Sequence, residues 1–205
     1  MADKESTKSE ITVKPVLADP APLGLIGLAI AALVLASADI KLASGIAKSL
    51  MIPWTLFLGA TAQLIAGIMD YKRNNIFGGT AFTTYSLLWY AISLTLFITI
   101  FTGVSFDITH YAYGLIGFLV FSIILTVASL MTNKTLFGVL LFIDLAIIAL
   151  VINIIYNVPS EIVGVFLICV SVLSFYGAAG VLLNNMAGKT ILPLGKSFVT
   201  IKKDS

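Results

Sequence analysis

Apolar residues in this chain come in long unbroken runs rather than in stripes. After Asp19 the uncharged stretches cover 20–38, 49–69, 74–106, 108–133, 135–143 with 145–160, and 162–188. A helix needs about 20 apolar residues to cross a hydrocarbon core of about 30 Å. The runs therefore predict six spans, over 22–40, 53–70, 80–101, 111–131, 135–155 and 161–186. Leu, Ile, Val and Phe run on continuously with Gly, Ser and Thr embedded, which fits a helix bundle; barrel strands would alternate. Turn residues fill the gaps: Lys72-Arg73-Asn74-Asn75, Thr132-Asn133-Lys134 and Asn157-Val158-Pro159-Ser160. Pro22, Pro53 and Pro159 stand at or just before helix starts, where a missing N–H costs nothing. The expected fold class is all-α, a polytopic membrane protein with six transmembrane helices.

Charge gives the orientation. Lys4, Lys8, Lys14, Lys72, Arg73, Lys134, Lys189, Lys196, Lys202 and Lys203 fall on one side of this arrangement, Lys41 and Lys48 on the other. The positive-inside rule places both termini in the cytoplasm, and an even span count requires them on one side. Residues 1–18 read as a disordered cytoplasmic tail, without the cleavage site of a signal peptide. Residues 19–188 form the transmembrane domain and 189–205 a cytoplasmic tail. Any activity then lies in the bundle, and the expected location is the plasma (cell inner) membrane.

Composition narrows the chemistry. Hydrophobic residues make up 59% and charged residues 11%, against roughly 45–50% and about 25% in soluble proteins. A net charge of +2 suggests no nucleic-acid partner. One cysteine, Cys169, and one histidine, His110, exclude a disulfide framework and a Cys/His metal site within one chain. No cofactor is expected. An intramembrane protease needs a Ser–Lys or Ser–His pair, an Asp pair or a metal motif at depth, and none is visible. The expectation is a pore or carrier rather than an enzyme.

Asp144 is the most anomalous residue, about halfway along the fifth span, where an ionised carboxylate costs at least about 2.5–3.5 kcal/mol. Two readings stay open. It is a proton-exchanging or gating group on an aqueous cavity, or a protonated or hydrogen-bonded carboxyl bridging two helices or subunits. Asp39 closes the first span and reads as a solvated end residue. In the third span Thr80, Thr84, Tyr85, Trp89 and Ser93 fall near one face by i, i+4 spacing. Hydroxyls there suit a pore for a small carboxylate, or bond back to the i−4 carbonyl while aromatics anchor the helix. Gln63 is a buried amide expected to bond a neighbouring helix. Glycines in the first and last spans, Gly27 and Gly180 among them, are expected to hold subunits together. The entry Pro20-Ala21-Pro22-Leu23-Gly24 is more constrained than an ordinary span start requires.

That entry carries a resemblance. Asp19-Pro20-Ala21-Pro22-Leu23-Gly24-Leu25 resembles the Asn-Pro-Ala-Pro-Leu-Gly-Leu signature of the acetate uptake transporter family. Residues 62–67 with 70–72, residues 75–85 with Trp89, and residues 188–195 are similar to three further family blocks in the same order. The resemblance implies six helices with cytoplasmic termini, a homo-hexamer with a pore in each subunit, and proton-linked uptake of acetate and other small carboxylates, succinate included. Family pores narrow at a Phe–Tyr–Leu constriction. The tyrosine carries over to Tyr85, the phenylalanine position to Leu28, and the leucine position to the neighbourhood of Ile143. Asp19 puts a charge where the family has a neutral amide. Asp144 comes directly after Ile143 without a counterpart in the family pattern, which argues for a place on the pore.

These readings join into an expected route. The prolines at 20 and 22 break the helix entry, so that backbone N–H groups and a helix N-terminus face an anion. A neck of Leu28, Tyr85 and Ile143 then strips water and favours small, weakly hydrated or protonated substrates. The same neck would pass water or ammonia, and a passive neutral-solute pore is the alternative. A non-transporting membrane scaffold needs no polar inward face, so the Thr80 to Tyr85 surface counts against it.

Overall fold

The computed structural model describes residues 17–42, 45–103 and 107–200, so the expected amino-terminal tail lies almost wholly outside the described residues. Among them are six helices long and apolar enough to cross a membrane: α1 (Ala21–Asp39), α2 (Lys48–Lys72), α3 (Ile76–Phe101), α4 (Thr109–Ser129), α5 (Lys134–Tyr156) and α6 (Glu161–Ala187). Each falls on a predicted span, with its ends displaced by a few residues. The polar clusters between runs act as start and stop signals. Asn75 accepts the Gly78 N–H at 3.1 Å to begin α3, and Asn133 accepts the Leu136 N–H at 2.9 Å to begin α5. A side-chain oxygen there meets a donor that the first turn leaves open. Asn157 (φ 52°) and Gly188 (φ 63°) end α5 and α6 in the left-handed region.

The helices form a ring in the order α3, α2, α1, α6, α5, α4, with extensive contact between α2 and α3 and between α1 and α6, and the slightest between α3 and α4. Ser171 Oγ donates to the Ala29 carbonyl at 2.8 Å and ties α6 to α1. Gly27 lies so near α2 that an added Cβ would overlap the Leu58 carbonyl, and one at Gly180 would overlap Leu194. The expectation that these two glycines join subunits is therefore corrected. Both are consumed by close packing within one subunit, which leaves no room for a second chain. Leu87, Leu94, Val120 and Ile124 face outward, as helix surfaces solvated by lipid do.

Helix α2 is not regular throughout. Residues Thr55–Ala62 adopt π geometry, and Thr61 Oγ1 donates to the Leu56 carbonyl at 2.9 Å. Each residue inserted into a helix rotates the remainder of that helix by about 100°. The π stretch thus sets the face on which Gln63 and Asp70 lie.

The segment after Gly188 folds back over the bundle. Asn184 Oδ1 accepts the Ile191 and Leu192 N–H groups at 2.6 and 2.9 Å. The Leu194 carbonyl accepts both the N–H and the hydroxyl of Thr135, at 3.1 and 3.0 Å. Phe198 packs edge-on against Phe137 at 5.1 Å.

Candidate functional site

Among the described residues two cavities lie inside the ring. One of about 110 Å³ sits toward the end where α1 begins, with Leu25, Gln63, Phe82, Thr135 and Leu194 in its wall. The other, about 230 Å³, sits toward the opposite end against Leu35, Asp39, Trp89, Tyr111 and Val163. Leu28 of α1, Tyr85 of α3 and Ile143 of α5 line both. They stand between the cavities as a neck.

Tyr85 is the polar member of the neck and is 4% exposed. Its ring meets Phe118 of α4 edge-on at 5.2 Å and leans on Phe121 at 6.2 Å. Its hydroxyl lies 2.7 Å from Ser122 Oγ. Ser122 Oγ in turn donates to Asp144 Oδ1, and Thr126 Oγ1 donates to Asp144 Oδ2 at 2.7 Å. A serine has one proton to give. With that proton on the carboxylate, the Tyr85 O–H is the donor to Ser122. The chain Tyr85, Ser122, Asp144 therefore runs from the neck into the contact between α4 and α5.

Asp144 itself lines neither cavity. The expectation that it lies on the pore is corrected to a place two hydrogen bonds behind it, through Ser122 and Tyr85. Ser122 and Thr126 are four residues apart on one face of α4 and meet both carboxylate oxygens, so the charge is satisfied where water is scarce.

The entry to α1 also differs from expectation. Asp19 Oδ1 accepts the Ala21 N–H at 3.0 Å and pairs with Arg73 Nη1 at 2.9 Å; Arg73 also reaches Asp70 at 3.4 Å. The helix N-terminus expected to face an anion is filled by the protein's own carboxylate. Of the entry residues Ala21 lines the smaller cavity. Pro20 gives its carbonyl to the Gly24 N–H at 3.2 Å, Leu23 faces outward, and Gly24 admits the Phe82 ring. Pro22, like these three, lines neither cavity.

The polar face of α3 divides. Trp89 lines the larger cavity, while Thr80 and Thr84 line neither. Thr80 shares a 3.0 Å hydrogen bond with Tyr71, and Ser93 one of 2.8 Å with Thr55, both on α2. Hydroxyls at the two ends thus fasten α3 to α2, and the aromatics between them reach the cavities. Two residues were misplaced by sequence reasoning. Gln63 is fully buried, its Nε2 and Oε1 have no partner among the described residues, and it lines the smaller cavity instead of bonding a helix. Asp39 is half-buried and lines the larger cavity instead of facing solvent, because Ser160 at the start of α6 docks on its carbonyl at 3.0 Å. Among the described residues no three His, Cys, Asp or Glu side chains converge to ligate a metal ion.

A profile of the GPR1/FUN34/yaaH family matches residues 4–195. The chain belongs to that family. The succinate-acetate/proton symporter SatP of Escherichia coli strain K12 is 37% identical over 73 residues, which cover 36% of this chain and 38% of that protein. A Methanothermobacter thermautotrophicus protein is 33% identical over 91 residues, 44% of each chain. These stretches span less than half the length of the curated relatives. A solved structure described as the bacterial acetate channel SatP matches with a TM-score of 0.81 at 27% identity, over 88% of this chain and 100% of that one. The fold is thus shared with that structure, and the chain is a multi-pass membrane protein.

Proposed function

We propose that the protein carries acetate and other small carboxylates across the plasma membrane along the line from cavity to neck to cavity. The observation that carries this reading is the meeting of both cavities at Leu28, Tyr85 and Ile143, inside a fold shared with a bacterial acetate channel. The free Gln63 amide is placed to donate to a carboxylate in the smaller cavity. Two aliphatic side chains and one phenol at the neck then replace little of a solute's hydration. A monocarboxylate sheds one charged hydration shell there and a dicarboxylate two, so acetate passes more readily than succinate. The symporter name of the Escherichia coli relative supports linkage to protons.

Lys72, Arg73, Lys134, Lys189 and Lys196 cluster at the end carrying the termini, which favours a cytoplasmic smaller cavity. A hexamer is the expected assembly. Its contact surface is best sought on α4, where a Cβ added at Gly114 or Gly117 meets nothing within 4 Å among the described residues beyond its own helix.

The test is radiolabelled acetate uptake into proteoliposomes, with and without an imposed pH gradient, in competition with formate and succinate. Uptake above that of protein-free liposomes is expected, with formate competing better than succinate and accumulation only under the gradient. Uptake no greater than the leak would sink the reading. Indifference to the gradient would make the protein a passive channel. The apolar walls also suit a neutral-solute pore, which would show as fast water flux in stopped-flow light scattering without acetate uptake.

A further inference from the structure

We infer that Asp144 is a positioning residue that sets the direction of the Tyr85 hydroxyl, and so decides whether the neck offers an anion a donor or a lone pair. The consequence for transport rests on the proposed carriage of acetate; the switch itself belongs to three side chains. With Asp144 ionised, both its oxygens accept, from Ser122 and Thr126. The Ser122 proton is committed, Tyr85 must donate to Ser122, and the phenol turns lone pairs toward whatever enters the neck. An anion meets oxygen of its own polarity.

A proton added at Asp144 Oδ1 reverses the order. That O–H donates to Ser122 Oγ, Ser122 turns its own proton to the Tyr85 oxygen, and the Tyr85 O–H is released for an acceptor in the neck. One proton is gained by Asp144 and two hydroxyls rotate; nothing else is made or broken. A carboxylate in the neck then receives a charge-assisted hydrogen bond. Thr126 holds Oδ2 and stands off this chain.

The surroundings leave Asp144 to these hydroxyls. On α3, Tyr85 acts on it electrostatically, and Tyr90 is bonded to Thr61. On α4, His110 and Tyr113 are exposed at the first turn and Tyr111 lines the larger cavity. On α6, Glu161 pairs with Lys41 at the far end, Tyr176 donates to the Pro193 carbonyl, and Cys169 is free. On α5 itself Lys134 and Tyr156 are the terminal residues. Among the described residues no basic side chain acts on Asp144.

The experiment measures acetate uptake against pH in proteoliposomes of wild type, Asp144→Asn, Ser122→Ala and Thr126→Val. Protein-free liposomes subtract the leak of neutral acid, and uptake is normalised to reconstituted protein. The same proteoliposomes, with tyrosine labelled by carbon-13 at Cζ, are read by solid-state NMR, the Tyr85 signal being the one lost in Tyr85→Phe. In the wild type, uptake should rise roughly tenfold, the effect of one hydrogen bond to a charge, as pH falls, and the Tyr85 signal should move with it. Asp144→Asn, whose amide always donates, and Ser122→Ala, which lacks the middle link, should make both readings independent of pH. Thr126→Val should keep both responses. A wild-type pH profile in Ser122→Ala would overturn the switch and leave the carboxylate acting through its field alone. So would a Tyr85 signal that ignores pH in the wild type. A moving signal with no acetate uptake in any protein would uphold the switch and sink the transport reading.

Discussion

A carboxylate in the middle of an apolar helix is tolerated when something else supplies what water would. For Asp144 that is Ser122 and Thr126, one oxygen each. Replacing both, as Ser122→Ala with Thr126→Val, should lower stability by about 3–5 kcal/mol, the cost of a buried charge left alone. Adding Asp144→Leu to that background should restore most of the loss, read as the midpoint of thermal unfolding in detergent. Tyr85 is tested by two substitutions of different size. Tyr85→Phe keeps the ring, so acetate uptake should fall while the acetate-to-succinate ratio holds. Tyr85→Ala widens the neck and should move that ratio toward the larger acid; equal losses for both acids would reduce Tyr85 to packing. Asp144 was legible as an anomaly from one sequence, since charge in an apolar run needs no comparison to be noticed. Its partners were not, because serine and threonine in a membrane helix look alike whether they serve a neighbour or their own backbone.

Elements were legible where chemistry marks their ends. Asn75, Asn133 and Gly188 punctuate the apolar runs and also cap the helices. The π stretch in α2 left no such mark, since Thr55–Ala62 is as apolar and as rich in small residues as an ordinary span. Without it the face carrying Gln63 cannot be read from spacing, and the need of a buried amide for partners points by itself to a helix contact. Helix faces also separate two roles for glycine. Gly27→Leu should drive α1 away from α2 and yield no monodisperse protein on size-exclusion chromatography. Gly117→Leu meets open space in the subunit, so the protomer should fold while the mass of the assembly falls in native mass spectrometry. An unchanged assembly would move the interface off α4.

For the molecule as a whole, both the ring and its cover matter. Residues 189–200 supply Leu194 to the wall of the smaller cavity and an acceptor to Thr135. Truncation after Gly188 should therefore lower the unfolding temperature and relax discrimination between acetate and larger acids; a truncated protein with wild-type selectivity would make the cover incidental. The order of the ring has a further consequence, in the time during which the chain is made. Of the six described helices α1 is synthesised first, yet its largest partner, α6, follows the other four. Until then α1 must wait in lipid, and with a mean hydropathy of 2.2 and no charge before its final residue it can. Asp144 could not wait so cheaply. It arrives on α5 directly after α4, so Ser122 and Thr126 leave the ribosome before the carboxylate does. The residue least able to stand alone in lipid is the one whose partners precede it.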